Sequence, residues 1–218
     1  MVDTAKARLN MVESQLRTNK VTNEAVLAAF ENVPRELFMP EALRAAAYLD
    51  EDIDLGHGRC IMEPMVLARL LQAARPGPAD VALEIACGSG YATALLARMV
   101  ATAVAVESSD AFVDQASAAL AELGLDNAVV MKGDIARGVP DQAPYNVILI
   151  HGAVAEVPEA ISGQLAEDGR LVTVVRRGAG MGRATLIERH GGIASSRVLF
   201  DAGVPALPEF AAEPGFVF

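Results

Sequence analysis

The run Val81-Ala82-Leu83-Glu84-Ile85-Ala86-Cys87-Gly88-Ser89-Gly90-Tyr91 decides the fold, because an apolar strand passes through a glycine turn directly into the start of a helix. Glycines at such a turn let the backbone approach a ligand where a β-carbon would collide, and the first turn of the helix offers unpaired N–H groups. The pattern predicts a nucleotide-cofactor loop between a strand near 81–86 and a helix near 91–99. Beyond that helix, Ala103-Val104-Ala105-Val106-Glu107 is a second apolar run closed by a carboxylate. An acid at the tip of the second strand of a βαβ unit can accept hydrogen bonds from both hydroxyls of a ribose.

Working outward, Val129-Val130-Met131-Lys132 meets Gly133-Asp134-Ile135. A Gly-Asp turn there would set Asp134 against an adenine amine, with Ile135 covering the ring. Three elements at three successive strand ends are what an open α/β sheet presents to one ligand along its carboxyl edge. Further strands are expected near 127–132, 145–151 and 170–176, and helices near 110–123 and 155–166. The fold class is therefore α/β: a Rossmann-like, doubly wound, mostly parallel sheet. Residues 183–189 and 193–203, split by His190-Gly191-Gly192, read as a late antiparallel pair.

Residues 1–78 read as an N-terminal helical extension carrying a substrate-side loop, with helices near 5–18, 23–32, 41–48 and 64–74 and Asn23 as an N-cap. Pro76-Gly77-Pro78 marks the passage to the cofactor-binding core, 79–218. That junction is too short for a flexible linker, so the two parts are expected to pack as one unit.

With 218 residues and 52% hydrophobic composition the chain can bury a sizeable core. A net charge of −10 without a basic stripe disfavours a nucleic-acid surface. Cys60 and Cys87 are too few for a disulfide scaffold and are expected as free thiols. His57, His151 and His190 are scattered, so no metal site is expected. Met1 to Arg8 lead into a mixed polar segment rather than a signal-peptide core, and no 18-residue apolar span occurs. The cytoplasm is the expected compartment, with no membrane partner; oligomeric state is not readable.

The loop A-C-G-S-G-Y-A lacks the third glycine of a dinucleotide fingerprint, with Ala92 near that position. Together with the E-x-A-C-G-S-G and V-x-V-E elements it resembles the cofactor loop of class I methyltransferases. Outside the loop, an ordered series covers most of residues 8 to 175: Met11-Val12 with Gln15-Leu16, Val33-Pro34-Arg35-Glu36 with Phe38 and Pro40, Ala47-Tyr48 with Asp50, Gly56-x-Gly58, Ala143-Pro144-Tyr145, Glu156-Val157-Pro158, and Gln164-Leu165 before Gly169-Arg170-Leu171-Val172. By these motifs the chain resembles the protein-L-isoaspartate O-methyltransferases.

The resemblance implies a repair enzyme that transfers methyl from S-adenosylmethionine, leaving S-adenosylhomocysteine, to the free α-carboxylate of an isoaspartyl residue in damaged protein or peptide. It implies cofactor contacts from Glu84, Ala86, Cys87, Gly88, Ser89, Gly90, Glu107, Gly133, Asp134 and Ile135. A carboxylate is already a nucleophile, so alignment can supply much of the acceleration without a general base.

The family's G-x-G-Q-T-I-S-x-P loop reads Gly56-His57-Gly58-Arg59-Cys60-Ile61-Met62-Glu63-Pro64 here. Met62 stands at the catalytic Ser position and Cys60 at the Thr position, so both hydroxyl contacts are lost. Arg59, Cys60, Ile61 and His151 are the substrate-side candidates: Arg59 as a cation for a carboxylate, His151 as a base for a harder acceptor. The bland readings are a packed thiol for Cys60 and a strand-end polar residue for His151. Two alternatives to the repair enzyme stay open: a methyltransferase with a small-molecule acceptor, and a non-catalytic cofactor-binding homologue.

Overall fold

The computed structural model describes residues 3–211. Its centre is a seven-stranded sheet in the order β5-β4-β3-β6-β7-β8-β9, formed by β3 (Val81–Ile85), β4 (Thr102–Glu107), β5 (Ala128–Lys132), β6 (Tyr145–Val154), β7 (Leu165–Val175), β8 (Gly182–His190) and β9 (Ile193–Ala202). β3 to β7 are parallel, and β8 and β9 add an antiparallel hairpin at one edge. After β5 the chain returns to the far side of β3, which creates a switch point between β3 and β6 at their carboxyl ends. Open sheets bind ligands at such a crevice.

Strand residues alternate between two apolar layers. Ala82, Ala103, Val147, Leu149 and Val172 face the larger cluster, whereas Leu83, Val104, Ile148, Ile150 and Leu171 face the smaller one. Such period-two burial on both faces is what helices on both sides of a parallel sheet require. The larger layer holds α3 (Pro64–Ala74) and α4 (Tyr91–Ala97) together with Met11, Leu16, Leu27, Phe30 and Phe38 from the N-terminal segment. Asn23 caps α2 (Glu24–Asn32), its Oδ1 accepting from the Ala25 and Val26 N–H groups.

Four local expectations are corrected. The first helix keeps α geometry only over α1 (Thr4–Met11), then widens to a π turn (Val12–Leu16) and tightens to a 3-10 turn that ends at left-handed Lys20. Residues 41–48 form a 3-10 run, Glu41–Ala46. The expected helix near 155–166 shrinks to α6 (Glu159–Ser162), because β6 runs on to Val154 and β7 already begins at Leu165. A two-stranded hairpin, β1 (Ile53–Gly56) with β2 (Arg59–Ile61), occupies a stretch where no strand was expected. Remaining long helix α5 (Asp110–Glu122) follows β4 as expected.

After β9 the chain folds back over the carboxyl edge of the sheet. Leu207 N–H donates to the Ala153 carbonyl at 2.8 Å, and Ala153 N–H donates to the Pro205 carbonyl at 2.8 Å. Val204, Leu207 and Phe210 are buried, so residues 204–210 form an anchored strap. Among the described residues no helix is long and apolar enough to cross a membrane.

Candidate active site

Ala86, Gly88 and Gly90 leave β3 with φ of 61°, 52° and 89°, a region that costs a residue with a β-carbon roughly 1–2 kcal/mol. On Gly90 a β-carbon would also lie 2.8 Å from that of Ala116 on α5. Glycine there permits both the turn and the close approach of the helix. Ser89 is buried, and its Oγ has no hydrogen-bond partner among the described residues. An orphaned hydroxyl within a glycine cradle is what a polar ligand group would satisfy.

The adenine end expected at β5 is a groove of about 220 Å³ lined by Val106, Met131, Gly133 and Asp134. A β-carbon on Gly133 would meet Val106 Cγ2 at 2.9 Å. Asp134 Oδ1 accepts from the Ala136 N–H at 2.9 Å, so Oδ2 is the oxygen open to an amine. Ile135 departs from expectation: it is buried in the smaller core layer and does not line the groove. Apart from that residue, the glycine turn, Ser89 and the groove fit S-adenosylmethionine.

Glu107 sits where expected and is fully buried, but its carboxylate is already engaged. Oε2 accepts from Gly88 N–H at 3.0 Å and Arg59 Nε at 2.9 Å. Oε1 accepts from Arg59 Nη2 at 3.0 Å, Ser108 N–H at 2.7 Å and Ser109 N–H at 3.2 Å. Burial, the largest single effect, would raise the Glu107 pKa, yet the Arg59 hydrogen bonds and charge together with the Gly88 and Ser109 N–H groups hold the acid below its usual range. Burial likewise opposes the Arg59 charge, and its bonds to Glu107 and Glu209 hold it above its usual range.

Arg59, expected as a free cation for a substrate, is therefore buried and doubly paired. Its second edge reaches the strap, Nη2 to Glu209 Oε1 at 2.7 Å and Nη1 to Glu209 Oε2 at 3.1 Å. Pro208 and Leu207 press on the glycines behind this contact: β-carbons on Gly58 and Gly152 would lie 2.6 Å and 2.5 Å from them.

His151 is likewise committed. Nε2 accepts from the Met62 N–H at 3.3 Å, which places the proton on Nδ1, and Nδ1 donates to Glu84 Oε1 at 2.7 Å. Thr93 Oγ1 donates to the other Glu84 oxygen. Glu84, Thr93 and His151 are all buried, so this chain of bonds ties the substrate-side loop to β3 and α4 beneath the cofactor turn. His151 has no free nitrogen to act as a base, and Glu84 faces inward rather than toward a cofactor. Met62 and Ile61 are buried in the larger core layer, so neither side chain faces an acceptor.

Both thiols are packed. Burial first, then the nearby Asp52, pushes Cys60 up to about 12, and burial raises Cys87 well above the ordinary thiol value. Neither is a thiolate nucleophile at neutral pH.

The sequence model of the protein-L-isoaspartate(D-aspartate) O-methyltransferase family matches residues 7–200. The chain belongs to the protein-L-isoaspartate O-methyltransferase family. It is 40% identical to protein-L-isoaspartate O-methyltransferase 1 of Rhodopseudomonas palustris, over 78% of this chain and 70% of that protein. With the protein-L-isoaspartate O-methyltransferase of Methanoregula boonei it shares 39% identity over 84% of each chain. A solved protein-L-isoaspartate O-methyltransferase superimposes with a TM-score of 0.81 at 25% identity; the alignment covers 91% of this chain and 65% of that one. A putative family member from Plasmodium falciparum, solved with S-adenosyl-L-homocysteine, has the same fold, with a TM-score of 0.80 at 19% identity over 96% of this chain and all of that one.

As a member of this family the chain is an S-adenosylmethionine-dependent methyltransferase. Several residues of its site were missed by sequence reasoning. Thr93, Ser108, Ser109 and Glu209 contact Glu84, Glu107 or Arg59. Thr93 lies one helical turn past Gly90, a spacing that could have pointed to it. Glu209 lies 150 positions from Arg59 and carries no local signal.

Proposed function

We propose that this family member, whose relatives are named protein-L-isoaspartate O-methyltransferases, methylates the free α-carboxylate of isoaspartyl residues in damaged protein, using S-adenosylmethionine. The observation that carries this reading is the family match across residues 7–200 together with a cofactor cradle of left-handed Gly88 and Gly90 around an orphaned Ser89 hydroxyl. When bound, the cofactor supplies a methyl group on a good leaving group, its sulfonium.

The chain's own residues then position rather than activate. Gly88, Ser89 and Gly90 would bring backbone and hydroxyl to the ligand, Asp134 would take the adenine amine, and Glu107 would take the ribose. The substrate-side hairpin β1–β2 and the strap pack together at Gly58 and Pro208, where they would screen an acceptor carboxylate from water. A carboxylate acceptor needs no base, which agrees with His151 being spent on Met62 and Glu84. We take 79–218 as the cofactor-binding core and 1–78 as the acceptor-side extension, and we place the reaction in the cytoplasm, where two free buried thiols are at home.

The test is methyl transfer from labelled cofactor to an isoaspartyl peptide and to its aspartyl counterpart. Transfer confined to the isoaspartyl peptide is expected. Equal labelling of both peptides, or of neither, would overturn the assignment.

A further inference from the structure

Arg59 bridges two carboxylates with two different edges of one guanidinium. The Nε/Nη2 edge lies on Glu107 at 2.9 and 3.0 Å, and the Nη1/Nη2 edge lies on Glu209 at 3.1 and 2.7 Å. Planar guanidinium forks favour such bidentate pairing. With six donor contacts already on its two oxygens, the longest from Ser108 Oγ at 3.3 Å, Glu107 has no lone-pair site left for two ribose hydroxyls, since an ionised carboxylate offers about four. Three of those donors are backbone N–H groups fixed by the turn at Gly88 and by the start of α5. Arg59 is the donor that can leave.

We propose that Arg59 and the cofactor's ribose compete for Glu107, and that Glu209 is the positioning residue that keeps Arg59 paired when the ribose takes its place. This inference rests on the cofactor reading above. Glu209 suits the role because it is the exposed member of the trio: its side chain is 35% accessible, against 3% for Arg59 and 0% for Glu107. It also sits on the strap, anchored by Leu207 and Phe210, with its carboxylate held by Arg59 and by Ser108 Oγ at 3.4 Å. Without Glu209, a displaced Arg59 would be a buried cation lacking a partner, and such a charge is costly.

Two single variants therefore move cofactor affinity in opposite directions. Calorimetric titration with S-adenosylhomocysteine, which needs no turnover, reads both. Arg59→Gln removes the competitor and tightens binding by about tenfold, the scale of one charge-assisted contact. Glu209→Gln removes the second seat and weakens binding by about threefold to tenfold on the same scale. In the Arg59→Gln background, Glu209→Gln changes nothing, because no guanidinium remains to be seated.

A purely structural role for the trio predicts the same sign for both variants. Circular dichroism melts identify a variant that has lost its fold, and Arg59→Lys, which keeps the charge without the fork, serves as a second probe and should bind between wild type and Arg59→Gln. Equal affinities throughout, or tighter binding by Glu209→Gln, would overturn the exchange while leaving the cofactor reading intact. Absence of binding in wild type and every folded variant would sink both.

Discussion

The two loops that meet at the carboxyl edge are held by different physics. The cofactor-side turn, 84–90, is shaped mainly by backbone geometry: left-handed φ at Ala86, Gly88 and Gly90, and close approach of α5 at Gly90. The substrate-side loop, 59–63, is fixed by partners far along the chain. Arg59 reaches Glu107 and Glu209, Met62 reaches His151, and Glu63 N–H donates to Asp52. A loop whose conformation is local can keep its function while its neighbours vary. A loop held by distant side chains changes role when those side chains change, and here its side chains face inward or pair with acids.

The bond chain from Met62 through His151 and Glu84 to Thr93 joins the two loops, so cutting it should give the largest effect. Glu84→Ala leaves the His151 Nδ1–H and the Thr93 hydroxyl buried without acceptors. We expect a loss of about 3–5 kcal/mol in unfolding free energy, combining two unsatisfied groups with the missing side chain. Urea denaturation measures it. A loss under about 1 kcal/mol would mean that the network is not what couples the loops.

Met62→Ser comes next. It places a hydroxyl where the motif that the chain resembles has one, which, like Cys60→Thr, would raise activity if the missing hydroxyl were what limits it. The structure reverses that expectation, because the Met62 side chain is fully buried in the core. A serine there would leave a cavity and a hydroxyl in apolar surroundings, at a cost of about 2–4 kcal/mol. Isoaspartyl methylation by the folded variant should not exceed that of wild type. An increase would show that the loop turns outward during catalysis.

This contrast also explains what could be read from residues alone. Glu107, Gly133-Asp134 and the parallel sheet follow from short-range patterns: apolar runs ending in a characteristic residue at the carboxyl edge. The sheet's edge hairpin was legible for the same reason, with Gly191-Gly192 between two alternating segments. The roles of Arg59 and His151 were not legible, since a cation or an imidazole near an acceptor loop looks available until its partners are located. Those partners, Glu209 and Glu84, sit 150 and 67 positions away. The strap was invisible for a related reason: Val204 to Phe210 contains two prolines and no period, and it is held by pairing with the end of β6.

The smallest expected effect concerns charge. The acids beside the two loops shift in opposite directions, Glu107 downward because Arg59 with the Gly88 and Ser109 N–H groups together offset burial, and Glu63 upward to about 7 because burial, then Asp50 and Asp52, outweigh Arg35. A folded-state pKa above the unfolded value of about 4.5 means that the native state holds more protons between those values. Stability contributed by Glu63 is therefore complete below about pH 4.5 and is lost as pH rises toward about 7. The side chain is partly exposed, so solvent screening should keep the change to less than about 1 kcal/mol. Glu63→Gln removes this titration, and the stability of wild type relative to the variant should decline across that window in denaturation curves taken at several pH values. A flat or rising difference would show that Glu63 is solvated like an ordinary surface acid. In that case the acceptor side would carry full negative charge at neutral pH, and an isoaspartyl carboxylate would have to approach three ionised acids, with the buried Arg35 as their counterweight.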